Sequence, residues 1–101
     1  MANSVIESRY KVCNQYANKV YLNEGDRVTS GGLITFYLRA VDPWGYAEVQ
    51  VNGVTIGIAQ NATSDTHEVS YYGNLRVNVG DQITWNNANG GTTSVQFFPY
   101  I

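Results

Sequence analysis

Charge is what this sequence has least of. Asp, Glu, Lys and Arg make up 14% of its 101 residues, against about 25% in an average soluble domain. The polar surface is therefore built mainly from Asn, Thr, Ser, Gln and Gly, a neutral covering rich in hydrogen-bonding groups. Net charge is −2 and the pI about 5.1. The basic patch that binds phosphates is missing, and nucleic acid is not an expected partner. Low charge also weakens mutual repulsion, which favours self-association. Cys13 is the only cysteine, so no intrachain disulfide can form, and its apolar-leaning surroundings fit a buried small hydrophobe. No run approaches the roughly 18 apolar residues of a membrane span. Met1-Ala2-Asn3-Ser4 lacks the basic and apolar blocks of a signal peptide, so synthesis in the cytosol is the expectation.

What is present is apolar and aromatic. Hydrophobic residues reach 44% and aromatics 13%, eight of them Tyr, which describes a folded chain. Residues 1–101 form one domain with one core. The clearest local signal runs from Leu75 to Trp85. Val77 and Val79 alternate with polar residues, Gly80-Asp81 reverses the chain, and Ile83 and Trp85 alternate beyond it. Asp81 is of the type that bonds backbone just after such a turn. The pattern has an echo: Leu22-Asn23-Glu24-Gly25-Asp26-Arg27-Val28-Thr29 matches Val77 to Thr84, 55 positions on. The echo fits two similar corners or one turn solution used twice, and the scant match outside it favours the second.

The rest of the chain follows the same period. Val5 to Tyr16 fits either a short helix face through Ile6, Tyr10 and Cys13 or a strand over Ser8 to Val12, the strand being favoured, and Lys19 to Leu22 reads as a short strand. Leu33 to Val41 is β-branched and aromatic throughout, as in a central strand covered on both faces. Asp42-Pro43-Trp44-Gly45 is a turn in which Pro presets φ and Gly relaxes it. Tyr46 to Ala59 is a hairpin about Asn52-Gly53, with Val49 and Val51 on one side and Val54, Ile56 and Ile58 alternating on the return. Thr66 to Tyr72 alternates, Gly73-Asn74 reverses it, and Thr93 to Tyr100 is the last strand, with Pro99 fitting an edge. Seven to eight short strands at this spacing predict an all-β, jelly-roll-like antiparallel β-sandwich.

Catalytic chemistry is thinly represented. His67 is the only histidine and reads as an exposed strand residue, with no nucleophile or paired acid beside it in sequence. The carboxylates are scattered, without the Asp-x-Asp spacing of a calcium loop. Asn61-Ala62-Thr63 matches a glycosylation sequon, which carries little without a secretory signal. Val79 to Asn87 is similar to the strand before the first ligand histidine of copper-binding sandwiches. A blue-copper site needs two His and a Cys, so neither copper nor any other cofactor is expected, and the protein is not expected to be an enzyme.

Three stretches together resemble a known family. Val49 to Val54, then Leu75 to Trp85, then the terminal Val95-Gln96-Phe97-Phe98-Pro99-Tyr100-Ile101 look like the small C-terminal β-sandwich domains of bacteriophage tail-fibre and receptor-binding proteins. The likeness spans roughly Tyr46 to Ile101 and is most specific in its last five residues. It implies a homotrimer, a virion location among other virion proteins, and recognition of a host-surface glycan. Such domains usually follow a fibrous stalk, which this chain does not show; beside the tail-fibre role this leaves open a stand-alone head-decoration, head-fibre or baseplate accessory protein, or a piece of a longer fibre. Trp44, Tyr46, Tyr71 and Tyr72 are the candidate sugar platforms. Trp44 leads because a Pro-Gly turn is a hard place to bury an indole, whereas Trp85, on the Ile83 face, is assigned to the core. The alternatives are a ligand-free capsid decoration or cement protein and a cellular carbohydrate-binding module.

Overall fold

The structure, a computed structural model, describes residues 16–17 and 19–101. The strand expected at Ser8–Val12, and Cys13, lie outside them. Among the described residues are seven strands: β1 (Val20–Tyr21), β2 (Gly32–Ala40), β3 (Tyr46–Val51), β4 (Val54–Gln60), β5 (Val69–Val77), β6 (Ile83–Ala88) and β7 (Thr92–Pro99). They pair antiparallel in two sheets, of order β1-β7-β2-β5 and β4-β3-β6. The chain is thus an antiparallel β-sandwich, as its alternation predicts.

The core lies between the sheets and follows the period of two. Ile34, Phe36, Leu38 and Ala40 of β2 and Val95 and Phe97 of the neighbouring β7 point inward, against Ala47, Val49 and Val51 of β3 and Ile83 of β6. Each fully buried large aliphatic side chain here contributes roughly 1.5–3 kcal/mol. Trp85 packs against this cluster as expected. β2 is indeed central, between β7 and β5, but it is not covered on both faces. Its other face, carrying Leu33, Thr35, Tyr37 and Arg39, stays half-buried to exposed.

Two further expectations are corrected by packing. Gly73-Asn74 is no turn: β5 runs straight through, pairing with β2 from Val69 to Val77. Gly73 lies opposite Phe36, and a side chain there would enter the space of the Phe36 ring. It is a packing glycine, of the kind that lets a large neighbour lie flat on the backbone. In the Asn52-Gly53 hairpin the register shifts between Val49 and Gln50. This bulge re-aims the rest of β4, so that Ala59 enters the core while Ile58 faces solvent; Val54, beside the turn, is exposed as well.

The two Gly-Asp turns are one solution used twice, and they also meet. In each, glycine takes a positive φ, 92° at Gly25 and 88° at Gly80, as the third residue of a tight turn can require. In each, Asp reaches back rather than forward. Asn23 N–H donates to Asp26 Oδ2 and Asn78 N–H to Asp81 Oδ2, both at 2.8 Å. An antiparallel bridge between Arg27 and Gln82 joins the turns, and the bonds around it come in matched pairs. Gly25 N–H donates to Ile83 O and Gly80 N–H to Val28 O, at 2.8 Å. Ile83 N–H donates to Asp26 O and Val28 N–H to Asp81 O, at 2.9 Å. Gln82 Nε2 donates to Gly25 O and Arg27 Nη1 to Gly80 O, at 3.0 Å. The result is a locally two-fold clasp at one end of the sandwich. Val79 sits at its exposed corner, beyond the end of β5, and is 67% exposed.

The symmetry breaks at one point. Asn52 of the β3–β4 turn donates from Nδ2 to Asp81 Oδ1 and accepts Gln82 N–H, with no counterpart at Asp26 among the described residues. Asp81→Ala is therefore expected to cost more stability than Asp26→Ala. Both should fall within the roughly 0.5–2 kcal/mol typical of losing charge-assisted local hydrogen bonds. Urea unfolding of the two variants measures this, and equal losses would remove Asn52 from the clasp.

Candidate functional site

The open face of the four-stranded sheet is built by the strand period. β2 contributes Thr35 and Tyr37, β5 contributes Tyr72 and Asn74, and β7 contributes Ser94 and Gln96, all on the side away from the core. The register sets Tyr37 opposite both Tyr72 and Ser94, and Thr35 opposite Asn74 and Gln96. The two tyrosine rings stack, with centroids 4.3 Å apart and planes 22° from parallel. Tyr72 is 73% exposed. Partial burial, then the neighbouring Tyr72, raises the pKa of Tyr37 above its ordinary value. The pair is a neutral aromatic surface with polar hydroxyl tips.

Beside the pair runs a shallow groove of about 140 Å³, lined by Thr35, Phe36, Tyr37, Tyr72, Gly73, Ser94 and Gln96. Enclosed small-molecule sites occupy roughly 300–1,000 Å³. This groove is too small to engulf a cofactor and matches one ring of a longer ligand lying along the sheet. Hydroxyls and amides surround it. The nearest cation on β2, Arg39, donates from Nε to Glu68 Oε1 at 3.1 Å, and this pair is exposed.

The candidate residues do not share one platform. Tyr72 is on the groove. Tyr71, its neighbour in the chain, points the other way, where its ring meets Phe36 at 5.9 Å and lies over Gly57 at the sandwich edge. Tyr46 lies on the outer face of the three-stranded sheet. Its hydroxyl donates to Glu48 Oε1 at 3.0 Å. Trp44 stands at the end of the sandwich opposite the clasp, 55% exposed. Tyr37 was not among the candidates. Its signal was its odd position among Leu33, Thr35 and Arg39, which reading both faces of that strand as covered conceals.

The Trp44 turn also departs from expectation. Gly45 N–H donates to Asp42 O at 2.8 Å, but the positive φ falls on Trp44 itself, at 61°. Gly45 is needed for closeness, since a Cβ there would sit 2.9 Å from Asp42 O. A bulky residue held in the left-handed region costs about 1–3 kcal/mol and persists only where its surroundings hold it. Here Trp44 N–H donates to Thr63 O, and Asn89 Nδ2 donates to Trp44 O. The Thr63 loop is in turn fixed by Asn61, which is 1% exposed. Its Nδ2 donates to the carbonyls of Val41, Asp42 and Asp65, and its Oδ1 accepts from Thr63 N–H and Oγ1. The sequon Asn61-Ala62-Thr63 is thus a buried loop anchor whose amide is already engaged.

Glu48 marks the centre of the other outer face. Besides Tyr46, it accepts from Gln50 Nε2 and from Thr55 Oγ1. Donation from Thr55, then Gln50, and further from Tyr46 and Asn86, holds its pKa below the ordinary carboxylate value. His67 is exposed and lies just before β5 rather than on it. Among the described residues no group of three or more His, Cys, Asp or Glu could hold a metal ion.

No protein-family model matches this sequence, and no curated protein matches it significantly.

The lowered pKa of Glu48 fixes the sign of a pH effect. A depressed folded-state value adds stability above the unfolded value, which is lost as the pH falls through the folded value. Wild-type stability should therefore drop as the pH is taken below about 4, and Glu48→Gln should flatten that drop. Urea midpoints followed from neutral to acid pH measure it. Parallel profiles would show that Glu48 is not a source of the acid sensitivity.

Proposed function

We propose that this protein is a non-enzymatic, glycan-recognising β-sandwich of a bacteriophage particle, self-associated as a trimer and serving recognition of the host surface. The observation that carries the recognition reading is the exposed Tyr37–Tyr72 stack beside a one-ring groove. Sugars are held by hydrogen bonds to short polar side chains and by apolar contact with aromatic faces. Tyrosine supplies both kinds of contact, as an apolar ring with a polar tip. Thr35, Ser94 and Gln96 supply hydrogen-bonding groups along the groove. A charge-poor surface suits a neutral ligand and offers no phosphate-binding patch. The virion and the trimer rest on the likeness of the stretches from Tyr46 to Ile101 to phage receptor-binding domains. The low net charge is compatible with close self-association.

Two measurements test this. On a glycan array of bacterial surface sugars, the protein should bind a restricted set, and Tyr72→Ala should lose that binding with an unchanged melting temperature. Equal binding by wild type and variant would move the site elsewhere, and no binding by either would remove the glycan reading. Light scattering should give about three times the chain mass of 11.2 kDa. A monomer at working concentration would count against the fibre-type assembly.

A further inference from the structure

Trp44 is fully accounted for by neither the core nor the tyrosine face. It is half-exposed, in a backbone conformation that Gly or Asn would adopt with less strain. The surrounding loops are nevertheless tied to hold it there. Thr63 O accepts its N–H, Asn89 donates to its carbonyl, and Asn61 fixes the Thr63 loop from within. A turn serving only to reverse the chain gains nothing from an indole at this position. We propose that Trp44 is a second ligand platform, separate from the tyrosine face, on which one neutral pyranose ring stacks.

The chemistry of the loops selects that ligand. The three segments meeting at this end, 41–45, 61–68 and 89–91, contain no Lys or Arg and carry Asp42 and Asp65, while the charge of Glu68 is offset by Arg39 of β2. A phosphate or sugar acid would be repelled. A quaternary ammonium group is commonly held in a cage of several aromatic rings, and Trp44 is the only Phe, Tyr or Trp of the three loops. A single exposed indole, 55% accessible, fits the flat apolar face of a neutral sugar. This site stands whether or not the tyrosine groove binds, because it shares no residue with it.

The unaltered chain can be labelled with 5-fluorotryptophan, giving two resonances for its two tryptophans. Trp44→Asn assigns one of them by its loss. Titration with neutral methyl pyranosides of gluco, galacto, manno and N-acetylglucosamine type should shift the Trp44 resonance saturably. It should leave Trp85, which packs on the core, unmoved. The shift should persist in Tyr72→Ala, which separates this site from the tyrosine face. Methyl glucuronide, inorganic phosphate and choline should give no response. Trp44→Asn should also melt at or above the wild-type temperature, since Asn tolerates the left-handed region. No sugar-dependent shift, a response to choline alone, or a marked fall in melting temperature for Trp44→Asn would each overturn the proposal. The last would mean that the indole is there for packing.

Discussion

The hydrogen-bonded clasp between the two Gly-Asp turns is the constraint on which this sandwich depends. A sandwich is covered along its faces but open at its ends, where the chain leaves one sheet for another and backbone groups lose their ladder partners. Arg27 and Gln82 close one end by an antiparallel bridge. The bonds about it tie the chain entering β2 to the chain entering β6, which belong to different sheets. Asn52 adds the β3–β4 hairpin through Asp81. Inter-sheet position is thereby set by directional bonds as well as by the non-directional packing of Ile34, Leu38, Val49 and Ile83.

A chain with so little charge has few other ways to do this. Among the described residues one ion pair, Arg39–Glu68, is present, and it is exposed, where such pairs contribute roughly 0–1 kcal/mol. Amides and carboxylates bonded to the backbone take over the work of fixing loops. Asp26 and Asp81 do so at the clasp, and Asn61 does so at the other end. The two ends nevertheless differ. At the clasp, Gly25, Gly53 and Gly80 carry positive φ angles together with Asn52, a residue type that tolerates that region, and the strain is small. At the far end, Trp44 and Asn89 carry them, and a large side chain projects into solvent.

This contrast also marks how far the sequence could be read. The sandwich, the Asn52-Gly53 hairpin, both Gly-Asp turns and the partial burial of Trp85 against the core follow from local rules: alternation, turn chemistry and β propensity. What escaped depends on contacts between distant segments. Gly73 looks like a turn residue until Phe36 is seen lying against it from the neighbouring strand. Ile58 looks like core until a bulge shifts its register. Tyr37 becomes a site residue only because the pairing of β2 with β5 sets Tyr72 opposite it. Asn61 reads as a sequon, and only the fold shows its five hydrogen bonds. Of the candidate platforms, Tyr72 and Trp44 stand on separate exposed surfaces, Tyr46 is tied to Glu48, and Tyr71 covers the sandwich edge.

Separation of the exposed aromatics carries its own physical consequence. The Tyr37–Tyr72 stack lies on a sheet face and Trp44 at a loop end, so a single sugar ring cannot touch both. A neutral groove with room for one ring makes few contacts, and affinity for an isolated sugar is correspondingly low. On the reading proposed above, two weak platforms on one domain change that arithmetic. Once one unit of a surface polysaccharide is held, a second is presented at a high effective concentration, and repetition across associated copies multiplies the effect. Attachment of this kind is strong toward a dense glycan surface and negligible toward free sugar. It needs neither a deep pocket nor charge, which suits the proposal for a charge-poor, tyrosine-rich sandwich.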